Sequence, residues 1–143
     1  MEIPDLNRQL IRCLRTLGRT IRALSEGRAS QKRVLRLVRE EGGITQQALT
    51  ARLGVQPGSA SEVIRRLEET GLITRTPNAL DRRTSDVRLT PAGEEMAERA
   101  EAEIQKRRGE MFACLSEEEK NQLLAILTKL SADWRTRYGE GKK

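Results

Sequence analysis

The chain has 143 residues, of which 27 are basic, 21 are acidic and none is histidine. With 36% hydrophobic and 34% charged residues, this length favours a small domain with extended or dimeric helical elements over a large-cored enzyme. Because histidine is the commonest general base and metal ligand, we expect no catalytic residues, no metal and no cofactor.

The net charge of +6 is concentrated at the start of the chain, where residues 1–40 contain ten basic and four acidic side chains. A basic segment attracts polyanions, but attraction alone does not specify a mechanism. The N-terminus has no apolar run typical of a signal peptide, and no segment reaches the roughly 18 apolar residues of a membrane span. Cys13 and Cys114 lack metal-ligand spacing, so we expect a reducing, cytoplasmic setting. Because no segment is long and apolar enough to span a membrane, we expect no membrane partner.

Residues 5–25 are predicted to form one amphipathic helix with two distinct faces. The apolar face follows a heptad-like seam, widened on one side: Ile3, Leu6, Leu10, Cys13, Leu17 and Leu24, with Leu14 and Ile21. The opposite face is a stripe of arginines: Arg8, Arg12, Arg15, Arg19 and Arg22. A second helix is expected after Ser30, its N-cap, and ends at the glycine pair that follows residue 41.

The middle of the chain predicts a helix-turn-helix unit. Thr45 is a suitable N-cap for a short helix over residues 46–53, after which a glycine makes the turn. The next helix begins after Gln56 with Pro57 at its first position, where a missing N–H is harmless, and stops at Gly71. Its inward positions have the i, i+3, i+4, i+7 spacing: Ala60, Val63, Ile64 and Leu67.

Residues 72–89 have no helical periodicity. Two β-prone runs flank a polar tip over residues 76–84, which predicts a hairpin that carries four arginines: Arg75, Arg82, Arg83 and Arg88. A long helix then starts at Thr90-Pro91, with inward positions Met96, Ala100, Ile104 and Met111. A capping box from Ser116 to Glu119 starts a last helix with an apolar stripe: Leu123, Leu124, Ile126, Leu127, Leu130 and Trp134.

Three motifs occur in a fixed order between residues 44 and 93. They are the helix-turn-helix over residues 44–55, the sequence RLEETGLI at residues 66–73, and Asp81-Arg82-Arg83 followed by VRLTPAG at residues 87–93. This ordered set resembles the MarR family of winged helix-turn-helix transcription regulators. The flanking helices fall where that family places its dimerisation helices, so the resemblance covers nearly the whole chain.

The resemblance implies a mainly α fold with a small β-hairpin wing (α+β). Its parts are an N-terminal dimerisation helix over residues 1–29, a winged helix-turn-helix lobe over 30–90, and C-terminal dimerisation helices with a short tail over 91–143. It further implies a homodimer that binds a pseudo-palindromic double-stranded DNA operator sequence-specifically, typically as a repressor. Recognition helices enter the major groove and wings enter the minor groove. Many members are released from DNA by a small aromatic acid or by thiol oxidation, so an effector is an expected partner.

The recognition helix supplies the predicted major-groove contacts. On a helical wheel, Gly58, Glu62 and Arg65 point away from the buried stripe. The full predicted set is Gln56, Pro57, Gly58, Ser59, Ser61, Glu62, Arg65 and Arg66. Arg65 suits a bidentate contact to guanine, whereas Glu62 suits either cytosine N4 or an intramolecular pair with an arginine. Gly58 either allows close approach to DNA or is merely tolerated.

In the wing, Asp81 and Arg83 match the family pattern of an Asp and an Arg two positions later. We expect Asp81 to hold one arginine in a bidentate pair while the free one, Arg82 or Arg83, enters the minor groove. Helix N-termini and nearby polar side chains suit contacts to the DNA backbone: Ser30, Thr45, Gln46, Gln47 and Arg75.

Two features of the first helix have more than one interpretation. Its arginine stripe either widens the DNA-binding footprint or pairs with acidic residues of the long helix, within or between subunits: Glu94, Glu95, Glu98, Glu101 and Glu103. Cys13 lies where some MarR relatives have a peroxide-sensing thiol, but it also lies on the apolar seam, where a free cysteine acts as a small hydrophobe. A Cys13–Cys114 disulfide requires the two helices to meet.

Two other functions compete with a specific regulator. A non-specific, nucleoid-type DNA-binding protein would bind all duplexes equally. A helical adaptor for protein partners would show no salt-sensitive DNA binding.

Overall fold

The computed structural model describes residues 5–139; Ile3 of the predicted seam and residues 140–143 of the predicted tail lie outside that range. The described chain forms six helices and three strands in the order α1 (Leu6–Leu24), α2 (Gln31–Glu41), β1 (Ile44–Thr45), α3 (Gln46–Leu53), α4 (Pro57–Glu69), β2 (Ile73–Pro77), β3 (Ser85–Leu89), α5 (Pro91–Met111) and α6 (Glu117–Tyr138). This confirms the mainly α fold with a small winged hairpin.

The helix boundaries follow the predicted capping residues. The side chains of Ser30 and Thr45 accept hydrogen bonds from the backbone N–H groups of Arg33 and Ala48, respectively. Ser116 and Glu119 form a complete capping box at the start of α6. Gln56 precedes Pro57 as N-cap, but its side chain makes no capping hydrogen bond and is exposed.

The three strands form one antiparallel sheet in the order β1-β3-β2. Ile44 pairs with Val87, and Arg75 of β2 pairs with the same residue from the other side. Strand β1 is not among the elements predicted from the sequence. Two residues are too short to show the alternation by which strands are predicted, and pairing with β3 defines this strand.

The core of the winged lobe lies between α2, α3, α4 and the sheet. Its fully buried large side chains are Val34, Leu35, Val38, Leu49, Leu53, Ile64, Leu67, Ile73 and Val87. All four inward positions predicted for α4 are buried. This core therefore closes within a single chain.

The predicted inward face of α5 is partly wrong. Gly93, Ala97 and Ala100 are the buried residues, whereas Met96 and Met111 are exposed. Close packing at the start of the helix accounts for the glycine there. A Cβ atom at Gly93 would lie 1.9 Å from the carbonyl oxygen of Leu72, so only glycine fits at this position.

The chain divides into two compact units, Met1–Ala100 and Glu101–Lys143. The first unit extends past residue 90 because the first turns of α5 contribute to the winged lobe. Within it, α1 has no buried residue, and six large apolar side chains of that helix are exposed: Leu6, Leu10, Ile11, Leu17, Ile21 and Leu24.

The second unit contains α6, which likewise has no buried residue. Its exposed apolar side chains are Leu123, Leu124, Ile126, Leu127, Trp134 and Tyr138. No helix within residues 5–139 is long and apolar enough to cross a membrane.

Candidate nucleic-acid interface

The outer face of α4 displays the residues predicted to enter a major groove. Pro57, Gly58, Ser59 and the more distal members of the predicted set are exposed, while the opposite face is buried in the lobe. A Cβ atom at Gly58 would meet no atom within 4 Å. Internal packing therefore does not require glycine at that position.

The two arginines of this face are engaged by acidic residues of the same helix. Arg65 lies 2.7 Å from Glu69 and 3.6 Å from Glu62, and Arg66 lies 3.0 Å from Glu62. The side chains of all three pairs are at least half exposed, and such pairs contribute under about 1 kcal/mol. Glu62 is thus an intramolecular partner in the free protein, and its pairs are weak enough for a nucleic acid to replace them.

The wing tip contains the expected pair between an aspartate and an arginine. Asp81 accepts hydrogen bonds from Nε of Arg83 at 3.0 Å, from its Nη2 at 3.2 Å and from its backbone N–H at 3.0 Å. These bonds lower the pKa of Asp81 below its ordinary value and raise the pKa of Arg83. The held arginine is therefore Arg83, and Arg82 is exposed without a side-chain partner in the described part of the chain.

Asn78 builds the turn that supports this pair. Its Oδ1 accepts from the backbone N–H groups of Leu80 at 3.0 Å and Asp81 at 2.8 Å, and its Nδ2 donates to Asp86 at 2.7 Å. This supporting role of Asn78 is not among the predictions from the sequence, in which the segment is only a polar tip. An asparagine directly after proline is a turn signal by which this role was predictable.

A second residue missed from the sequence connects the wing to the helix-turn-helix. The Thr84 hydroxyl accepts a hydrogen bond from the backbone N–H of Gln47 at 3.2 Å, in the first turn of α3. One of the predicted backbone-binding amides is therefore already used within the protein. No local pattern reveals this contact because 37 residues separate its partners.

A polar relay runs from α4 through β2 and α3 back to α4. Glu68 accepts from Nε of Arg75 at 3.2 Å and from its Nη2 at 2.9 Å, Arg75 Nη1 donates to Gln46 Oε1 at 3.3 Å, and Gln46 Nε2 donates to Ser61 at 3.3 Å. The bonds to Arg75 lower the pKa of Glu68, and those to Glu68 raise the pKa of Arg75. Arg75 and Gln46 thereby support the side of α4 that carries Ser61.

Two open clefts border the exposed face of α4. One, of about 450 Å³, is lined by Gln46, Gln47, Pro57, Ser61, Arg83 and Thr84, so the wing arginine and the start of α4 share it. The other, of about 630 Å³, lies between Ser30 at the start of α2 and Ser59, Glu62 and Arg66 of α4. The structure thus brings most of the predicted DNA-contacting residues to one continuous surface.

Within the described chain, three acidic residues of α5 and the two cysteines do not make the contacts considered for them from the sequence. Glu94 and Glu98 pair with Arg39 of α2, and Glu95 pairs with Arg99 of its own helix. Among the described residues, none of these three acidic side chains pairs with the arginine stripe of α1. Cys13 and Cys114 are both free and exposed, so no disulfide joins them.

Comparison with known proteins decides the family. A family model described as "MarR family" matches residues 28–85. Over 125 residues the chain is 30% identical to the "Putative transcriptional regulatory protein for hcr operon" of Thauera aromatica, which covers 87% of this chain and 75% of that protein. The chain belongs to the MarR family. Its members are transcriptional regulators, and the winged lobe described above contains the matched segment.

Solved MarR-type structures share the fold over almost the whole chain. YusO from Bacillus subtilis superposes with a TM-score of 0.70 at 25% identity, covering 92% of this chain and 99% of its own. A MarR mutant from E. coli complexed with operator DNA gives 0.64 at 28% identity, covering 88% and 98%. The MarR winged-helix fold is thus confirmed for this protein.

Proposed function

We propose that this protein is a homodimeric, sequence-specific DNA-binding repressor that binds a pseudo-palindromic operator. The observation that carries the proposal is the surface on which the exposed start of α4 and the wing arginine Arg83 border one cleft. A helix face and a basic wing on the same side match the two grooves that a winged helix contacts. The MarR relative complexed with operator DNA supports the same partner.

The recognition helix reads bases in the major groove. Arg65 exchanges its exposed pairs with Glu62 and Glu69 for a bidentate contact to guanine, a contact that discriminates by roughly 1–3 kcal/mol. Ser59 and Ser61 contact bases or phosphates beside it. Glu62 keeps Arg66 or Arg65 partnered when no matching sequence is bound.

The wing enters the minor groove with Arg83. The expectation from sequence gives this role to the free arginine, which is Arg82. Geometry favours Arg83, because its pair with Asp81 fixes the guanidinium while the side chain remains 91% exposed and lines the cleft beside α4. Its Nη1 group makes no bond to Asp81 and is available to DNA acceptors.

Backbone contacts come from the helix starts near Ser30 and Thr45. The exposed apolar faces of α1 and α6 supply the dimer interface, because neither helix buries a side chain within one chain. A symmetric dimer places two recognition helices about one helical turn of DNA apart.

Fluorescence anisotropy tests this function. The protein is titrated into labelled DNA from upstream of its own gene and into a shuffled duplex, each at two salt concentrations. We expect a preference of about a thousandfold for the operator and a steep salt dependence. Equal binding to both duplexes would favour a non-specific architectural protein, and no binding at low salt would favour a protein-interaction adaptor.

Two variants separate the roles of helix and wing. Arg65→Ala is expected to relax specificity at one base position, whereas Arg83→Ala weakens binding to all sequences and lowers the salt slope by about one phosphate-like contact. Arg82→Ala serves as the matched control at the wing tip, with a smaller loss. If Arg82→Ala weakens binding more than Arg83→Ala, the free arginine enters the groove instead.

A further inference from the structure

The wing tip presents a large apolar side chain that the proposed function does not use. Leu80 is 98% exposed, more than any other exposed large hydrophobic residue of the described chain. It lies in a segment whose other functional groups are polar or charged. Single exposed leucines are ordinary on protein surfaces, so exposure by itself assigns no role.

The surroundings of Leu80 distinguish it from an ordinary surface leucine. Its backbone N–H and that of Asp81 both donate to Asn78 Oδ1, and Asn78 is itself held by Asp86. The next residue, Asp81, fixes Arg83 with three hydrogen bonds. The tip therefore carries one exposed apolar and one exposed cationic side chain three residues apart in the same hydrogen-bonded turn.

In the proposed function the surface that binds Arg83 is DNA, a polyanion that also attracts the exposed Arg82. The walls of a DNA minor groove combine phosphates with the C–H surfaces of deoxyribose, which match a cation and an apolar side chain side by side. Proteins that bind this groove frequently insert apolar side chains between its base steps, so apolar side chains are compatible with it. Asp81, next to Leu80, limits how deeply the tip can pass between phosphates, which favours contact with the groove wall over insertion between base pairs.

We propose that Leu80 is a DNA-contacting residue that packs against deoxyribose in the minor-groove wall when Arg83 enters the groove. This inference rests on the proposed function and adds a contact that is independent of both charge and base sequence. Because the contact releases no counterions, it adds affinity without changing the salt slope.

The test measures anisotropy of Leu80→Ala, Leu80→Met and wild-type protein on the shuffled duplex at several low salt concentrations. We expect Leu80→Ala to bind about fivefold more weakly at every salt concentration with an unchanged slope, the size expected for burying roughly half a leucine side chain. Leu80→Met, which keeps an apolar side chain, is expected to bind within twofold of wild type. Ala79→Ser, an exposed neighbour in the same turn, is the matched control and is expected to bind like wild type.

A second background makes the inference specific. Without the Arg83 side chain, the wing is expected to lose its contact with the minor groove. Adding Leu80→Ala to Arg83→Ala is therefore expected to weaken binding by less than twofold. Wild-type affinity for Leu80→Ala, a changed salt slope, or a full fivefold loss in the Arg83→Ala background would each overturn the inference. A lowered melting temperature of Leu80→Ala would also overturn it, because it would place Leu80 in a contact within the protein.

The results distinguish a failure of the Leu80 contact from a failure of the proposed function. If wild-type protein binds no duplex at low salt, the DNA-binding function fails and the Leu80 contact fails with it. If wild-type protein binds DNA and Leu80→Ala binds equally well, only the Leu80 contact fails.

Discussion

The winged lobe and the helices α1 and α6 use their apolar residues in opposite ways. In the lobe, side chains such as Leu49, Ile64 and Val87 are fully buried against neighbouring elements of the same chain. In α1 and α6, residues of the same type are exposed, and neither helix buries any side chain. An apolar pattern therefore predicts a face that must be covered, but it does not predict whether the chain covers that face itself.

This difference assigns separate tasks to the two regions. The lobe has a complete core, so its stability is an intrinsic property of the chain. The exposed faces of α1 and α6 have the apolar character of a subunit interface, whose stability depends on protein concentration.

The largest expected effect comes from Gly93→Ala in the lobe. The added Cβ atom would lie 1.9 Å from the carbonyl oxygen of Leu72, and backbone cannot move aside cheaply. We expect a loss of about 3 kcal/mol or more in the free energy of unfolding, measured by denaturant titration.

Gly109→Ala, in the same helix, is the matched control. A Cβ atom at Gly109 meets nothing within 4 Å, so this change is expected to be neutral or to stabilise by up to about 1 kcal/mol. Equal destabilisation by both changes would contradict the close-packing explanation.

A smaller effect is expected from Leu17→Asp on the exposed seam of α1. Burying a carboxylate in an apolar interface is expected to weaken the dimer by about 2 kcal/mol, or roughly thirtyfold in Kd. The winged lobe is expected to remain folded, because Leu17 is 59% exposed within the chain. Sedimentation equilibrium measures the association, and circular dichroism measures the fold.

Arg15→Gln changes the net charge by the same amount on the opposite face of α1 and is expected to leave the dimer intact. If Arg15→Gln dissociates the dimer as strongly as Leu17→Asp, the arginine stripe rather than the apolar seam holds the subunits together. A monomeric wild-type protein would remove the contrast altogether.

The smallest effect concerns the relay beneath the recognition helix. Arg75→Ala frees Gln46 and Ser61, and we expect a three- to tenfold loss of operator affinity, about 1 kcal/mol, with an unchanged salt slope. Gln46→Ala is expected to cost a similar amount, and the double variant little more, because both changes break one connected unit. A slope lowered by about one would instead support the direct backbone contact predicted from sequence.

The pH dependence of this relay follows from the lowered pKa of Glu68. A carboxylate with a lowered pKa contributes stability that is complete above its ordinary pKa, about 4.3, and is lost as the pH falls through the lowered value. The loss in the free energy of unfolding caused by Arg75→Ala is therefore expected to be constant between about pH 6 and 8 and to decline only below about pH 4.

Local signals predicted most of the fold. Caps such as Ser30 and Ser116, and the spacing of the buried residues of α4, gave helix boundaries because these features depend on neighbours within a few residues. The two-residue strand β1 and the inward face of α5 escaped prediction because tertiary contacts determine them. Hydrophobicity alone does not identify Gly93 as a core position, because its lack of a side chain is required by the backbone of Leu72.

The candidate site was predictable in membership but not in pairing. The sequence pattern predicts Asp81, Arg82 and Arg83 at one tip, yet only the folded structure shows which arginine the aspartate holds. Arg75 and Gln46 were expected to face DNA, and the structure shows them bonded to each other. The bond between them could not be predicted, because it joins residues 29 positions apart and no local pattern encodes such a contact.

The pairing of Arg65 and Arg66 with glutamates has a consequence for how an operator is found. Helix α4 contains three acidic and two basic residues, a formal charge of −1, in a chain of charge +6. Long-range attraction to random DNA must therefore come from other segments, while α4 itself gains little from a duplex that lacks matching bases. This division of charge lets the protein move rapidly along non-specific DNA. It binds tightly only where base contacts compensate for the broken arginine–glutamate pairs.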